Sequence, residues 1–116
     1  MKIAIPCQDG MVFPHFGRSE YFLVEETEDG KILNKEIIDN GGNTHAAIAA
    51  YLDGLEIDII LCGGMGNPML ERMTGFGIDV YMGCQGNAEE ILHQYLDGTL
   101  KNDPDIISCC HHEMLA

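Results

Sequence analysis

Residues 1–100 are predicted to form one α/β domain, a mixed five-stranded sheet covered by helices on both faces. Three observations predict it. Short apolar runs of strand type open the chain, a hairpin signal follows, and strand-like and helix-like segments alternate through the second half. Such alternation implies parallel strands joined by right-handed crossovers, and the hairpin adds antiparallel strands to the same sheet. At 116 residues the chain can bury a real core but not two domains.

The first strand is expected at residues 2–7, where Ile-Ala-Ile forms a short buried run. Residues 20–28 begin Glu-Tyr-Phe-Leu-Val-Glu, rich in β-branched and aromatic types that suit a pleated surface. Asp29-Gly30 is a hairpin turn signal, and residues 31–39 return as the partner strand. Gly41-Gly42 marks a connection. Asn43 or Thr44 is placed to cap a helix starting at His45, with Ile48, Tyr51, Leu52 and Leu55 on one face and Gly54 near its end. Residues 57–62 read as a buried strand. After Gly63-Gly64-Met65-Gly66, Asn67 is the expected N-cap and Pro68 the first helical residue, with the helix stopping near Gly75. Residues 78–84 form the last predicted strand. Asn87 then caps a helix with Glu90 three positions on, a stripe of Ala88, Ile91, Leu92, Tyr95 and Leu96, and Gly98 at its end. Residues 101–116 read as a flexible tail. The five strands fit the spatial order 3-2-1-4-5, the ribonuclease-H-like arrangement.

Composition excludes several functions. The formal net charge is −13, from 19 acidic residues against 6 Lys and Arg, which opposes nucleic-acid binding. No apolar run reaches membrane-spanning length, and the N-terminus lacks the pattern of a signal peptide. A cytoplasmic protein is expected. Five cysteines without a CxxC pair argue against a disulfide framework, a zinc ribbon and a thioredoxin-type site.

The chemistry is expected at one sheet edge. Cys7, Cys62 and Cys84 each fall at or just past the end of a predicted parallel strand, and ligands of open α/β sheets bind outside those ends. Between Cys7 and Ser19 runs a loop with apolar anchors, one imidazole (His15) and one guanidinium (Arg18). Two glycine-rich turns, containing Gly64 and Gly66 and then Gly86, open helices at the same edge and let an anion approach the backbone. Thiolate and imidazole are ligands for iron, zinc or copper. A strand-end cysteine is equally a small buried hydrophobe. Met65, Met69, Met73 and Met82 are read as core fillers before a soft rim. In the tail, Cys109, Cys110, His111 and His112 are candidate metal ligands, of which two or three could share an ion. No catalytic constellation is defensible. Asp9 lies where nucleases of this arrangement keep a carboxylate, but no partner carboxylate is evident.

His15-Phe16-Gly17-Arg18-Ser19 followed by Tyr21-Phe22 resembles the His-Phe-Gly signature of the dinitrogenase iron–molybdenum cofactor biosynthesis family. Also similar are the opening Ile-Ala-Ile-Pro, the Gly64-Met65-Gly66 and Gly83-to-Gly86 turns, and the closing Tyr95-Leu96-Asp97-Gly98-Thr99-Leu100. The resemblance implies a ribonuclease-H-like fold and non-enzymatic binding or carriage of an iron–sulfur or iron–molybdenum–sulfur cluster, with His15 at the cluster. It also implies a donor or acceptor protein as partner, and stand-alone relatives in anaerobes. Cys7, Cys62 and Cys84 lie outside the family pattern, so they mark either a variant cluster site or filled space. The alternative readings are a regulatory or interaction module that binds a small anion or a protein without a cluster, and a metal-dependent hydrolase.

Overall fold

The structure, a computed structural model, describes residues 1–42 and 47–102. The expected cap at Asn43 or Thr44, the helix start at His45, and the tail ligands Cys109, Cys110, His111 and His112 lie outside the described residues. The strands are β1 (Lys2–Gln8), β2 (Met11–Val12), β3 (Tyr21–Glu28), β4 (Lys31–Asp39), β5 (Ile59–Leu61) and β6 (Asp79–Tyr81). The helices are α1 (Ile48–Gly54), α2 (Asn67–Gly75) and α3 (Ala88–Asp97).

One mixed sheet runs β4-β3-β1-β5-β6, with β2 paired to β1 off that path. It has six strands where five were predicted, and its order differs from 3-2-1-4-5 by the added β2. The reason is local. Asp9 and Gly10 both take positive φ (54° and 79°), closing a hairpin that returns Val12 opposite Cys7 and Met11 opposite Gln8. Asp29 and Gly30 take the same conformation (53° and 76°) between β3 and β4, as their dipeptide predicts. β5 and β6 run parallel to each other and β5 runs parallel to β1.

Alternation along the central strands divides the core between the two sheet faces. Ala4, Val24, Ile60 and Cys62 pack with Ile48, Leu52, Met69 and Met73, so α1 and α2 cover one face. Ile3, Ile5, Leu23, Ile59 and Leu61 pack with Ala88, Ile91 and Leu92, so α3 covers the other. Each fully buried Leu or Ile contributes about 1.5–3 kcal/mol. Met65, Met69, Met73 and Met82 are all at most 3% exposed, so they fill the core and form no rim.

The helix caps match in part. Asn87 Oδ1 accepts from the Glu90 amide at 3.1 Å, and Gly98 ends α3 at φ 82°, both as predicted. At α2 the cap is Gly66 rather than Asn67, which is already helical, with no side-chain capping bond.

Candidate functional site

The site region is built where β1, β5 and β6 end. β5 pairs with β1 only at Ile3 and Ala4, which leaves the last residues of β1 without a parallel neighbour. β2 takes that place. The Val12 amide donates to the Gly86 carbonyl at 2.8 Å, the Phe13 amide to Pro6 at 2.8 Å, and the Ala88 amide to Gly10 at 2.9 Å. Met11 also bridges to Asn87. The loop after the first strand is therefore tied by main-chain bonds to the turn before α3. Gly86 sits at φ 97°, a conformation that a side chain would strain.

The second half of the loop lies on the other glycine turn. A Cβ on Gly63 would stand 3.2 Å from the Pro14 carbonyl oxygen and 3.3 Å from Pro14 Cα. Glycine is thus favoured at 63, since any side chain would need the Pro14 backbone to give by a few tenths of an ångström. The Phe16 amide reaches the Gly64 carbonyl at 3.4 Å, and the Phe16 ring is buried against Phe22, with centroids 5.6 Å apart. Residues Phe16–Arg18 form a single 3-10 turn, preceded by His15 in extended conformation. Contrary to the expectation of a loop without regular structure, the stretch holds the end of β1, all of β2 and this turn.

His15 is half-buried, with the Phe13 ring edge-on at 6.5 Å. Its carbonyl accepts from the Arg18 amide at 3.0 Å, closing the turn. Arg18 is exposed, and no carboxylate among the described residues pairs with its guanidinium. One imidazole and one exposed guanidinium therefore stand on a fixed loop at the mouth of the sheet, within a chain of strongly negative net charge.

The three strand-end cysteines are at the same edge but not on one face. Cys7 and Cys84 belong to the core beneath α3, whereas Cys62 points to the side of α1 and α2. The predicted convergence of three thiols is corrected by the register. Ile59 pairs with Ile3 and Ile60 with Ala4, which fixes Cys62 two residues on from Ile60 and opposite in facing to Cys7. All three are at most 4% exposed. Burial pushes the Cys84 thiol up to about 11, against a weaker lowering by its backbone bond, and raises Cys7 in the same way. Cys7 and Cys84 are therefore thiols at neutral pH, not thiolates ready to bind metal.

Of the remaining candidates, Gly64 touches the loop through Phe16, and Gly66 caps α2. Asp9 is an exposed turn residue, and His93 is exposed on α3. Among the described residues no group of three or more His, Cys, Asp or Glu side chains is placed to hold a metal ion. Sequence reasoning passed over Pro14 and the Asp9-Gly10 turn. The second was detectable, because Asp9-Gly10 repeats the hairpin signal of Asp29-Gly30.

The family model described as dinitrogenase iron-molybdenum cofactor matches residues 1–98. The uncharacterized protein MJ0580 of Methanocaldococcus jannaschii is 34% identical over 109 residues, covering 87% of this chain and 90% of that one. The crystal structure of PH0822 superposes with a TM-score of 0.83 at 30% identity, over 90% of this chain and 96% of the other. The apo form of the orange protein from Desulfovibrio gigas shares the fold, with a TM-score of 0.77 at 23% identity over 89% and 92% of the two chains.

Proposed function

The chain belongs to the dinitrogenase iron-molybdenum cofactor family, and on that premise we propose that it binds or carries an iron–sulfur or iron–molybdenum–sulfur cluster without turning it over. The observation that carries this reading is the position of His15 and Arg18. Both stand on a loop tied by main-chain bonds to the turn before α3 and resting on the turn before α2. The cluster is cargo, held where the parallel strands end. His15 supplies an imidazole ligand or a hydrogen bond, and Arg18 offsets negative charge on the cluster. Cys7, Cys62 and Cys84 serve as packing beneath the site in this reading, since all three are buried, they lie on two faces, and burial raises the Cys7 and Cys84 thiols.

A single imidazole leaves the remaining metal positions to sulfide, to a donor or acceptor protein, or to Cys109, Cys110, His111 and His112 of the tail. Sparse anchoring of this kind favours hand-over above storage. No described helix is long and apolar enough to cross a membrane.

The test is anaerobic reconstitution with iron and sulfide, with and without molybdate, followed by metal analysis and absorption spectra. His15→Ala is expected to weaken retention of the cluster by about ten- to a hundred-fold, the range for loss of a metal-site partner. Equal retention by the variant removes His15 from the site. Wild-type protein that refuses every reconstitution favours the second reading, an interaction module that uses Arg18 and the same loop. Burial of all three described thiols is the observation on that side.

A further inference from the structure

We propose that the outer edge of β4 is a docking surface for a second copy of this chain, joining two sheets into one across a two-fold axis at Ile37. β4 ends the sheet, and among the described residues β3 is the only strand beside it. The opposite edge is better guarded. β6 is three residues long, and the Met82 amide just beyond it donates to Asn102 Oδ1 at 3.0 Å. β4 is nine residues long, with Leu33 and Ile37 each 59% exposed. Natural edges of that length are usually blunted by charge or by a bulge. Here a bulge lies towards the hairpin turn, where the register shifts opposite Glu26 and Thr27. The segment from Asn34 to Asp39 pairs with β3 in unbroken register.

The free backbone groups can be assigned. The Asn40 amide donates to the Glu20 carbonyl at 2.9 Å, so the bonded pairs with β3 fall on even positions of β4. The amides and carbonyls of Lys35, Ile37 and Asp39 therefore point away from the sheet. The Tyr51 hydroxyl confirms this at one end by donating to the Asp39 carbonyl at 3.2 Å, which keeps a second lone pair.

Antiparallel pairing about Ile37 sets Ile37 against Ile37 of the second copy, and Lys35 against its Asp39, twice. This offers about six main-chain hydrogen bonds. The three residues share the sheet face covered elsewhere by α3, so the side chains meet as two opposite-charge pairs flanking an apolar pair. Charge also selects this strand for self-association. Lys31 and Lys35 balance Glu36 and Asp39, so β4 is neutral while the rest of the chain carries the whole net charge of −13. Lys35 also pairs with Glu89 on α3, and Asp39 Oδ1 accepts from the Gly41 amide at 2.8 Å, so each charged side chain shares its existing partner with the second copy. The area is below that of a standard interface, so the dimer should be reversible, with a Kd of roughly micromolar or weaker.

Sedimentation velocity over a concentration series at physiological ionic strength tests this. Wild-type protein should show a reversible monomer–dimer equilibrium. Lys35→Asp alone and Asp39→Lys alone should each be monomeric, because like charges then face each other across the axis. An equimolar mixture of those two variants should dimerise again, since each supplies the charge the other lacks. Ile37→Pro, which removes an amide that β3 does not use, should also be monomeric with its circular dichroism retained. Wild-type protein that stays monomeric at its highest soluble concentration overturns the proposal. So does a pair of folded single variants that dimerise like the wild type, or whose mixture stays monomeric. If neither charge variant folds, dimers of folded Ile37→Pro equal to wild type overturn it.

Discussion

Cys84 shows how burial can silence a residue whose type suggests chemistry. Its thiol is 2% exposed and lies 3.9 Å from the Tyr81 carbonyl, a weak contact. Raising the group from 9.0 to about 11 leaves about a hundred-fold less thiolate at neutral pH. Native alkylation by iodoacetamide, read at Cys84 by peptide mass spectrometry, should therefore be at least about a hundred-fold slower than in the urea-unfolded chain. Rapid native labelling would mean that the Gly83–Gly86 turn opens freely and that the thiol is available to metal. The strand-end positions of Cys7, Cys62 and Cys84 were legible in the sequence. Their facing was not. Alternation orders the residues within one strand, but which face of β5 matches which face of β1 is fixed only by the pairing of Ile3 with Ile59. The family resemblance singled out His15, but nothing in the sequence placed Pro14 over Gly63.

At the scale of elements, the decisive contact is loop on turn. Gly63 has no room for a methyl group unless the Pro14 backbone gives by a few tenths of an ångström. Gly63→Ala should cost roughly 1 kcal/mol, and a branched residue there about 1–3 kcal/mol, as overpacking does elsewhere. The urea midpoint reads the stability, and the imidazole resonances of His15 read the displaced loop. If both stayed at their wild-type values, the loop would not be seated on the turn as described. The β3–β4 hairpin, the face pattern of α3 and its two caps were legible because each rests on residues within a few positions of one another. β2 was missed for a different reason. Two residues are too few for a periodic signal, and the pairing that makes them a strand comes from the Asp9-Gly10 turn and from Gly86, distant in sequence. Gly66 replaced Asn67 as cap because Asn67 is itself in the first helical turn, one residue earlier than Pro68 suggested.

At the scale of the whole molecule, one buried acid couples the hairpin to α3. Glu25 is 0% exposed, and neither carboxylate oxygen has a hydrogen-bond partner among the described residues. Burial raises its pKa first and Glu89 adds to that, while Lys35 and His93 oppose the rise. The sign follows from the direction of the shift. The folded chain holds this proton more tightly than the unfolded chain, so folding takes up a proton between the ordinary carboxylate value and the raised one. Stability therefore falls as pH rises through that window. Glu25→Gln should raise the melting temperature at about pH 8 and change it much less at about pH 5. An equal shift at both values would show that the carboxylate charge carries no penalty. An acid on a strand pattern gave no hint of this burial, because only the arrival of α3 over β3 removes it from water.

The stitching of the loop also bears on how such a site can change over generations. Val12, Phe13, Gly86, Gly10 and Ala88 hold it through amides and carbonyls, groups common to nearly every residue. At its exposed or half-buried positions, such as His15 and Arg18, substitutions in the loop can alter what is presented without altering where it is presented. The scaffold thereby separates the inheritance of position from the inheritance of chemistry, and a lineage can exchange one set of presented side chains for another without passing through an unfolded intermediate sequence.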